Sequence, residues 1–325
     1  MLAIRIHETG GPELLRVDDV PVPEPGPGEL RFRVEAAGVN FIDTYQRSGL
    51  YPLALPAALG QEGAGVVSAV GPGVMNFSVG ERVATAKASG AYAVETLAPV
   101  AQVVKVPAAI DARTAAAVLL QGLTAHYLAG DTFPLKAGDT ALIHAGAGGV
   151  GLLLIQMARR RGARVIATVG SEAKAVLARE AGADAVCVYT QEEFPAAVRS
   201  FTGGCGVDVA YDSVGRDTFS GTLECLRPRG MFVSYGNSSG PVPPFAPLLL
   251  MQRGSLFFTR PTLANYVESP AELQRRTGEL FRWIKSGELK VRVGAVFPLR
   301  AAAEAHRALE GRATTGKVIL LPVDG

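Results

Sequence analysis

The chain has 325 residues, enough for about two domains of average size. Hydrophobic residues make up 48% of it and charged residues 19%, which excludes a disordered chain, a small disulfide-held domain and a lone binding module. The 32 basic and 30 acidic side chains leave a formal charge of +2, so we expect no DNA partner and no surface built for polyanions.

Cysteine usage and the first residues indicate the compartment. Only three cysteines occur, and none has the spacing of a disulfide framework or a zinc cluster: Cys187, Cys205 and Cys225. Residues 1–10 show no charged stretch followed by an apolar leader, and the most apolar window, 140–157, is interrupted by glycines. We therefore expect a cytoplasmic protein without a membrane partner.

The first third of the chain predicts a β-rich domain. Short alternating or β-branched runs are separated by turn residues, most clearly in the proline- and glycine-rich stretch 21–29. Asp111 can then cap a helix rich in alanine and leucine that leads toward a second segment near Leu123. The predicted strands are LAIRI (2–6), ELLRV (13–17), ELRFRVEAAGV (29–39), GAGVVSAVG (63–71) and ERVAT (81–85).

From Thr140 onward, apolar runs alternate with helical stretches. This alternation is typical of βαβ units and predicts an α/β domain with a doubly wound parallel sheet. The predicted strands are TALIHA (140–145), RVIATVG (164–170), AVCVY (185–189), VDVAYDSVG (207–215) and GMFVSYG (230–236). The predicted helices between them span 149–161, 172–180, 192–201 and 217–226.

The last part of the chain predicts a helix, an extended run, a second helix and a strand, at 270–286, 291–299, 300–310 and 317–323. Because these elements cannot form a core of their own, we expect them to return to the first domain. The predicted domains are therefore a β-rich domain made of 1–122 and 263–325, and an inserted parallel-sheet domain at 123–262.

A glycine-rich turn is the strongest local signal. Gly146, Gly148 and Gly151 satisfy G-x-G-x-x-G directly after an apolar strand and at the start of a helix. Glycines allow the backbone to approach a pyrophosphate closely, and the helix N-terminus offers it free N–H groups. The alternative is a turn needed only for strand and helix packing; the surrounding βαβ series favours dinucleotide binding.

The end of the second strand of this domain indicates which dinucleotide binds. Gly170 and Ser171 are small and neutral, which leaves room for a 2′-phosphate, and Lys174 can supply the compensating charge. NADP is therefore favoured. If Glu172 faces the ribose instead, NAD would be accepted; otherwise Glu172 is an acid in the first turn of a helix, stabilised by its dipole.

Several motifs together resemble the quinone oxidoreductase branch of the medium-chain dehydrogenase/reductase superfamily, which includes zeta-crystallin-like and bacterial NADPH:quinone reductases. They are GVNFIDTYQRSGLYP, HAGAGGVG, YDSVGRDT, SYGNSSG and FTRPTL, and the similarity extends to the KVILLP run. The resemblance implies a GroES-like catalytic domain, a Rossmann domain that binds NADPH, and a cleft between them.

Zinc-dependent members of this superfamily carry G-x-C-x-x-D followed by G-H-E, whose cysteine and histidine bind the metal. The corresponding positions here are Asn40 and Gln61, and amides are poor zinc ligands. The four histidines are scattered without ligand spacing, so we interpret each as a surface or packing residue: His7, His126, His144 and His306. We predict no metal site.

A quinone is a strong hydride acceptor, so a site without zinc needs mainly to position it and to stabilise the developing oxyanion. The resemblance implies that Asn40 and Tyr45 line this pocket, and position and hydrogen-bonding capacity add Tyr51 and Gln61 as catalytic candidates. Tyr45 can donate a proton to the reduced oxygen, as water can. The alternative for Tyr45 and Tyr51 is aromatic packing.

For NADPH, the resemblance and the glycine turn imply contacts at strand ends and in the returning segment. Arg312 would bring the returning domain onto the cofactor, unless it is a solvated loop arginine. The candidate cofactor-binding residues are Asn40, Tyr127, Gly148, Gly149, Val150, Gly170, Ser171, Lys174, Tyr189, Ser213, Gly236, Asn237, Ser238, Phe258, Thr259, Arg260 and Arg312.

The leading hypothesis is an NADPH:quinone reductase. The alternatives are reduction of the C=C bond of enones or enoyl thioesters, and a protein that mainly binds NADPH or RNA. The only basic cluster that favours RNA is 159–161, which is better explained as the solvated end of a helix. The apolar run 255–261 would be a sheet edge, and pairing with a second copy would give a homodimer.

Overall fold

The computed structural model describes residues 1–322. The chain forms two compact units. Unit 1 contains residues 1–123 and the described residues from 267 onward, and unit 2 contains residues 124–266. Unit 1 is thus discontinuous in sequence, whereas unit 2 is one uninterrupted segment.

Sixteen strands and ten helices are present in the described part of the chain. The strands are β1 (Leu2–Ile6), β2 (Arg16–Asp19), β3 (Glu29–Val39), β4 (Ala57–Ala58), β5 (Glu62–Val70), β6 (Arg82–Thr85), β7 (Glu95–Pro99), β8 (Val103–Lys105), β9 (Thr140–Ile143), β10 (Arg164–Val169), β11 (Ala185–Val188), β12 (Val207–Asp212), β13 (Leu226–Ser234), β14 (Phe257–Thr259), β15 (Val293–Pro298) and β16 (Lys317–Leu321). The helices are α1 (Phe41–Ser48), α2 (Ala112–Tyr127), α3 (Gly149–Arg160), α4 (Glu172–Glu180), α5 (Phe194–Phe201), α6 (Phe219–Cys225), α7 (Leu248–Gln252), α8 (Leu263–Tyr266), α9 (Pro270–Lys285) and α10 (Ala302–Glu310).

Unit 2 is built on a six-stranded parallel sheet in the order β11-β10-β9-β12-β13-β14. All four residues of β9 are buried, as expected of a strand covered on both faces. The chain runs from β9 to β10 on one side and later places β12 on the other, so β9 lies at the topological switch point. Parallel sheets bind ligands at the carboxyl ends of such strands. The predicted α/β fold with a parallel sheet is confirmed.

Unit 1 contains a seven-stranded sheet whose main path is β15-β16-β3-β5-β6-β8, with β7 paired to β3. The long strand β3 alternates buried and exposed residues along its first half, because one face covers the core and the other does not. β16 lies between β15 and β3, parallel to the first and antiparallel to the second, with Ile319 opposite Gly38. The returning segment therefore supplies an interior strand of this sheet.

The predicted helix start at Asp111 is confirmed, since Asp111 Oδ1 accepts a hydrogen bond of 2.6 Å from Thr114 N. The helix does not end near Leu123, however. α2 runs without interruption to Tyr127, and one π-helical turn, Leu128–Thr132, follows it. The second segment predicted near Leu123 is thus the last turn of α2.

Three other predictions need correction. The run 13–17 begins as a 3-10 turn, Pro12–Leu14, and the strand starts only at Arg16, because Pro12 fits the first position of a helical turn. β13 begins four residues before the predicted start at 230. The predicted strand 317–323 ends at Leu321, and Val323 lies outside the described residues.

Helix α1 was not predicted. Its sequence, FIDTYQRS, contains the β-branched Ile42 and Thr44, which favour a strand, and the helix is instead fixed by its ends. Asp43 accepts from the Asn40 backbone N–H at its start, and Gly49 ends it with a φ of 82°. Among the helices of residues 1–322, none has both the length and the apolar character required to cross a bilayer.

Candidate functional site

The glycine turn joins β9 to α3 in unit 2. A Cβ at Gly146 would lie 2.8 Å from the Ala167 Cβ of β10, and one at Gly151 would lie 2.3 Å from the Ala145 carbonyl oxygen. Real Cβ atoms do not approach other atoms so closely, so these two glycines let the turn pack against β10 and let α3 pack against the turn. Steric crowding therefore explains why the first and third positions of the motif are glycine.

Gly148 has a different role at the start of α3. It is the N-cap residue, it is extended, and no side chain caps the helix there. The first N–H groups of a helix have no intrahelical acceptor, and the helix dipole adds a partial positive charge. The first helical residues, Gly149 and Val150, are half-buried. This turn fits a pyrophosphate, and it lies at the carboxyl end of the switch-point strand β9.

The end of β10 brings four of the predicted cofactor residues together. Tyr189 lies over Gly170, where a Cβ would be 2.7 Å from the tyrosine Oη. Ser171 caps α4 by accepting from the Lys174 backbone N–H at 3.4 Å, which places Lys174 in the first turn of that helix. The alternative residue Glu172 lies 3.8 Å from Arg179, with both side chains largely exposed. The residues here fit an adenosine 2′-phosphate.

The ends of β12 and β13 form one connected backbone surface. Asp212 is fully buried, and its Oδ1 accepts from Val214 N at 2.6 Å and from Gly215 N at 3.0 Å, which fixes the turn that contains Ser213. Ser238 N donates to the Ser213 carbonyl at 3.1 Å. A Cβ at Gly236 would lie 2.5 Å from the same carbonyl, so only glycine allows the two turns to meet there.

Arg260, directly after β14, extends this surface. Its Nη1 donates to the Gly236 carbonyl at 3.3 Å. The Asn237 amide is oriented so that its nitrogen donates to the Gly236 carbonyl and its oxygen accepts from Arg260 Nη2 at 3.1 Å. Thr259 is the last residue of β14 and is half-buried. The Phe258 ring instead packs among core aromatics, 5.1 Å from the Phe232 centroid. Ser213, Gly236, Asn237, Ser238, Thr259 and Arg260 thus lie in one region of unit 2.

Tyr127, at the end of α2, is the remaining cofactor candidate of unit 2. Its ring stacks on Tyr266 with a centroid distance of 4.1 Å and an interplanar angle of 8°. Burial raises the pKa of Tyr127, so its hydroxyl remains protonated and can donate. Arg312, by contrast, lies in unit 1, exposed in the loop between α10 and β16, with a φ of 56°.

Unit 1 contains a buried polar cluster that we name the Asn40 cluster, formed by Asn40, Glu62 and Lys317. All three side chains are at most 4% exposed. Lys317 Nζ donates to Asn40 Oδ1 at 2.6 Å and also to Glu62 Oε2. Asn40 Nδ2 donates to Glu62 Oε2 at 2.8 Å, and Leu120 N donates to Glu62 Oε1 at 2.7 Å. Burial lowers the pKa of Lys317, and the adjacent Glu62 carboxylate opposes that shift.

A second chain of buried side chains begins at Asp43, in the first turn of α1. Tyr92 Oη donates to Asp43 Oδ2 at 2.9 Å, and His306 Nε2 lies 3.2 Å from the same hydroxyl. His306 Nδ1 lies 3.1 Å from Arg47 Nη1, and Arg47 also makes two hydrogen bonds to Glu310. We name Asp43, Tyr92, His306 and Arg47 the Asp43 chain. It joins α1 to α10.

Donor and acceptor chemistry fixes the direction of the Asp43 chain. A guanidinium can only donate, so His306 Nδ1 must accept from Arg47 and the ring proton is on Nε2, which donates to Tyr92. Burial and the charge of Arg47 lower the pKa of His306 to about 3, consistent with a neutral ring. Burial raises the pKa of Asp43 to about 6, although the Asn40 N–H and Tyr92 hydroxyl favour the ionised form.

The other catalytic candidates lie around α1. Tyr45, on this helix, is 8% exposed, and its ring lies 5.3 Å from that of Tyr51 in an edge-to-face arrangement. Tyr51 N donates to the Tyr45 carbonyl at 3.0 Å, which ties the segment after α1 to the helix. Gln61 is half-buried directly before β5. Unit 1 therefore places Asn40, Tyr45, Tyr51 and Gln61 at the ends of β3 and α1 and at the start of β5.

The residues at this position do not fit a zinc ion. Asn40 and Gln61 are amides, and Lys317 places a fixed positive charge against Asn40 and Glu62. Within residues 1–322, no group of three or more His, Cys, Asp or Glu side chains is arranged to hold a metal. The buried histidine His144 contacts two hydroxyls, those of Thr168 and Thr222, each at 2.9 Å. Zinc independence itself stays a prediction.

Sequence reasoning missed several residues that hold these surfaces together. Lys317 was interpreted only as the start of an apolar strand, and Asp212 only as part of a strand. Tyr92 and the hydrogen bonds of His306 were not predicted either. A buried Lys at the start of an apolar run carries no local signal, because its partners Asn40 and Glu62 lie more than 250 residues away in sequence.

Two family models match the chain. The model of the alcohol dehydrogenase GroES-like domain matches residues 26–108, in unit 1. The model described as zinc-binding dehydrogenase matches residues 149–273, which include most of the parallel-sheet unit.

Curated relatives match over nearly the whole length of the chain. A quinone oxidoreductase of Pseudomonas aeruginosa is 48% identical over 321 residues, covering 98% of this chain and 99% of the relative. A 2-haloacrylate reductase of a Burkholderia species is 46% identical over 330 residues, covering 99% of both. The solved structure of Escherichia coli quinone oxidoreductase complexed with NADPH has a TM-score of 0.97 and 44% identity, covering 99% of this chain and 100% of that one.

Proposed function

Since the chain belongs to the quinone oxidoreductase family of the medium-chain dehydrogenase/reductase superfamily, as its motifs predicted, we propose that it reduces quinones with NADPH and without a catalytic metal. The observation that carries the proposal is the pairing, in one chain, of a dinucleotide turn in unit 2 with the Asn40 cluster in unit 1. Where metal-dependent members supply a cysteine and a histidine, this chain has the amides Asn40 and Gln61, and Lys317 contacts Asn40.

The residues of unit 2 fit NADPH in two places. Gly148, Gly149 and Val150 would hold the pyrophosphate at the start of α3, and Gly170, Ser171, Lys174 and Tyr189 would hold the adenosine with its 2′-phosphate. When bound, NADPH supplies a hydride, and one proton from water or a side chain completes the hydroquinone. The further contacts we propose are those of Asn40, Tyr127, Ser213, Gly236, Asn237, Ser238, Phe258, Thr259, Arg260 and Arg312.

The residues of unit 1 would position the acceptor. Tyr45 and Tyr51 form an edge-to-face aromatic pair, against which a quinone ring can pack. Tyr45 and Gln61 carry polar groups that can donate to the oxygen on which negative charge develops as the hydride arrives. Because a quinone is already electrophilic, orientation and these hydrogen bonds supply most of the help the reaction needs.

Reduction of a conjugated C=C bond is the second candidate function. The 46% identical relative from Burkholderia is named a 2-haloacrylate reductase, so this family includes a protein whose named substrate is a conjugated alkene. The same hydride donor and the same polar residues would serve either acceptor, and the shape of the pocket would decide between them.

The test is the initial rate of NADPH oxidation with para-benzoquinone, with an enone and with 2-chloroacrylate, each against a blank without enzyme. We expect the quinone to give the highest kcat/KM, and we expect a chelator to leave that rate unchanged. Faster turnover of the alkenes would favour the second candidate. No turnover with any acceptor would contradict both.

We also propose a homodimer that pairs β14 with its copy. β14 is the edge strand of the unit 2 sheet, and exposed apolar side chains lie on it and on the nearby α7: Phe257, Leu248 and Met251 are 58%, 57% and 60% exposed. An open edge beside apolar residues favours pairing with another strand. The cytoplasmic location and the absence of a DNA or RNA partner stay predictions.

A further inference from the structure

Three side chains that are distant in sequence meet in the Asn40 cluster. Asn40 follows β3, Glu62 begins β5 and Lys317 begins β16, and these strands are neighbours in the order β16-β3-β5. The Lys317 ammonium contacts the Glu62 carboxylate and the Asn40 amide oxygen, and the side chains of this ion pair are 1% and 0% exposed. The two charges therefore face each other in the interior of unit 1, away from water.

The ion pair allows only one orientation of the Asn40 amide. A lysine can only donate and a carboxylate can only accept, so Oδ1 must face Lys317 and Nδ2 must face Glu62. The second hydrogen of Nδ2 is directed to the Gly38 carbonyl at 3.3 Å, and Gln121 Nε2 lies 3.4 Å from Oδ1. Rotating the amide by half a turn would place its NH2 donor against the Lys317 ammonium and its acceptor oxygen against the Glu62 carboxylate.

Stability alone does not account for this pair. Removing two charges from water is unfavourable by several kcal/mol per ion, and a well-packed apolar pair of similar volume is often as stable. The sequence nevertheless makes room for the pair: a Cβ at Gly38 would lie 2.3 Å from Glu62 Oε2 and 2.6 Å from the Ala116 carbonyl oxygen. The glycine in β3 thus leaves room both for the Glu62 carboxylate and for the backbone of α2.

Asn40 connects this pair to helix α1. It is the N-cap residue of α1, and its backbone N–H donates to Asp43 Oδ2 at 2.8 Å. One turn further along the same helix is Tyr45, the residue for which we propose a contact with the acceptor. Asn40 therefore joins the ion pair, which its side-chain amide contacts, to the start of the helix that carries Tyr45, which its backbone contacts.

We propose that Glu62 and Lys317 are positioning residues for the reaction, which hold the Asn40 amide and the first turn of α1 in the single orientation that places Tyr45 for hydride transfer. This inference rests on the proposed quinone reduction. The pair makes no contact of its own with the acceptor. It acts through Asn40, and its loss should lower kcat while the binding of NADPH to unit 2 is unchanged.

The experiment compares three variants with the wild-type protein. Lys317→Met leaves Glu62 buried without its cation, so both the melting temperature and kcat should fall. Glu62→Met/Lys317→Met removes both charges and should recover most of the melting temperature, whereas kcat should stay at least about tenfold below the wild-type value, with KM for NADPH within about twofold. Glu62→Gln, which keeps the shape of the side chain, is the mildest variant and should also lower kcat.

Arg276→Met is the matched control. Arg276 is another buried cation of unit 1, 1% exposed, which pairs with Glu272 at 3.2 Å within α9, and we place it in no site. Its loss should lower the melting temperature and leave kcat unchanged. If the Glu62→Met/Lys317→Met variant regains wild-type kcat together with its stability, or if Lys317→Met and Glu62→Gln keep wild-type kcat, the pair is only structural and the inference is overturned.

A readout independent of turnover separates this inference from the proposed function. In wild-type protein, the Asn40 Nδ2 proton donated to Glu62 should give a downfield NMR signal, identified by its loss in Asn40→Asp. This signal should move upfield in the Glu62→Met/Lys317→Met variant, whereas an unchanged signal would contradict a role in orienting the amide. Wild-type protein that oxidises no NADPH with any quinone would contradict the proposed function, and the NMR result would still decide the orientation of Asn40.

Discussion

Lys174 and Glu172 occupy the same first turn of α4 but have different surroundings. Glu172 lies 3.8 Å from Arg179, which is about two turns further along the helix, and 60% of the Glu172 side chain is exposed. Lys174 is half-buried, and its backbone N–H is held by the cap residue Ser171. The contact with Arg179 supports the interpretation of Glu172 as a helix-surface residue, and the position of Lys174 near Gly170 supports the preference for a 2′-phosphate.

Replacing Lys174 should therefore change cofactor preference. In Lys174→Ala, kcat/KM with NADPH should fall about tenfold or more, because a charge-assisted contact with a phosphate contributes about 1.5–3 kcal/mol. The value with NADH, which has no 2′-phosphate, should stay near that of the wild type. Initial rates with both cofactors at a fixed quinone concentration measure this ratio.

The control for Lys174 is Arg199→Ala, which removes one positive charge from α5 of the same unit. Arg199 lies 4.0 Å from Glu224, and its side chain is 54% exposed. The NADPH to NADH ratio should be unchanged in this variant. Equal losses with NADPH and NADH in Lys174→Ala would indicate that the lysine does not contact the 2′-phosphate.

Among the elements, β14 and β15 are informative because both are edge strands. β14 closes one side of the unit 2 sheet and β15 one side of the unit 1 sheet. Phe257 on β14 is 58% exposed, and Leu248 and Met251 on α7 are exposed to a similar extent. On β15, the large apolar side chain that is exposed is that of Val296, at 46%. The larger exposed apolar surface therefore lies on β14 and α7.

A charge at Phe257 should prevent pairing of two β14 strands. In Phe257→Glu, each copy of β14 would bring a carboxylate to the paired edge, and a large apolar contact would be lost. We expect the wild-type protein to sediment as a dimer and the variant as a monomer at the same concentration. Val296→Glu, the matched change on β15, should sediment like the wild type. A Phe257→Glu variant that remains dimeric would contradict this interface.

The stability of the whole molecule should depend on pH through two opposing residues of the Asp43 chain. The pKa of Asp43 is raised to about 6 from 3.8, so ionised Asp43 destabilises the fold above about pH 6, and this effect disappears as the pH falls toward 3.8. The pKa of His306 is lowered from 6.5 to about 3, so its contribution is present above pH 6.5 and is lost as the pH falls toward 3. Between about pH 4 and pH 6 the two effects offset each other.

His306→Gln should reveal the contribution of Asp43. In the wild type, His306 should lower the free energy of unfolding by about 2 kcal/mol as the pH falls from 6.5 to about 5. Without the histidine, this decrease is absent. The free energy of unfolding of this variant should therefore fall less, or even rise, between about pH 7.5 and pH 5, compared with the wild type. Denaturant unfolding at both pH values measures the difference.

His7→Gln is the control for this pH dependence. His7 is a surface histidine whose side chain is 43% exposed, paired with Asp18 at 2.8 Å. Its replacement should leave the pH dependence close to that of the wild type, since exposed ion pairs contribute little. Parallel pH dependence in the wild type and His306→Gln would mean that His306 is protonated equally in the folded and unfolded chains.

Local patterns predicted the parts of this molecule that local forces determine. The glycine turn, the cap at Asp111 and the alternating strands and helices of unit 2 depend on residues close in sequence, so spacing alone revealed them. Helix α1 was missed because a cap and a C-terminal glycine outweigh the strand preference of its residues. Lys317 was missed because its partners are set by the register between β16 and β3, which no local pattern encodes.

The position of β16 also has a consequence for the order in which the molecule is made. Lys317 follows Glu62 by 255 residues, so at about 5–20 residues per second a ribosome adds the lysine roughly ten to fifty seconds after the carboxylate. Throughout that interval β3 lacks its neighbour β16, whereas unit 2, an uninterrupted segment, is complete once residue 266 has been added. The unit begun first is thus finished last, and the nascent chain carries an open sheet edge that the cell must keep from pairing with other chains.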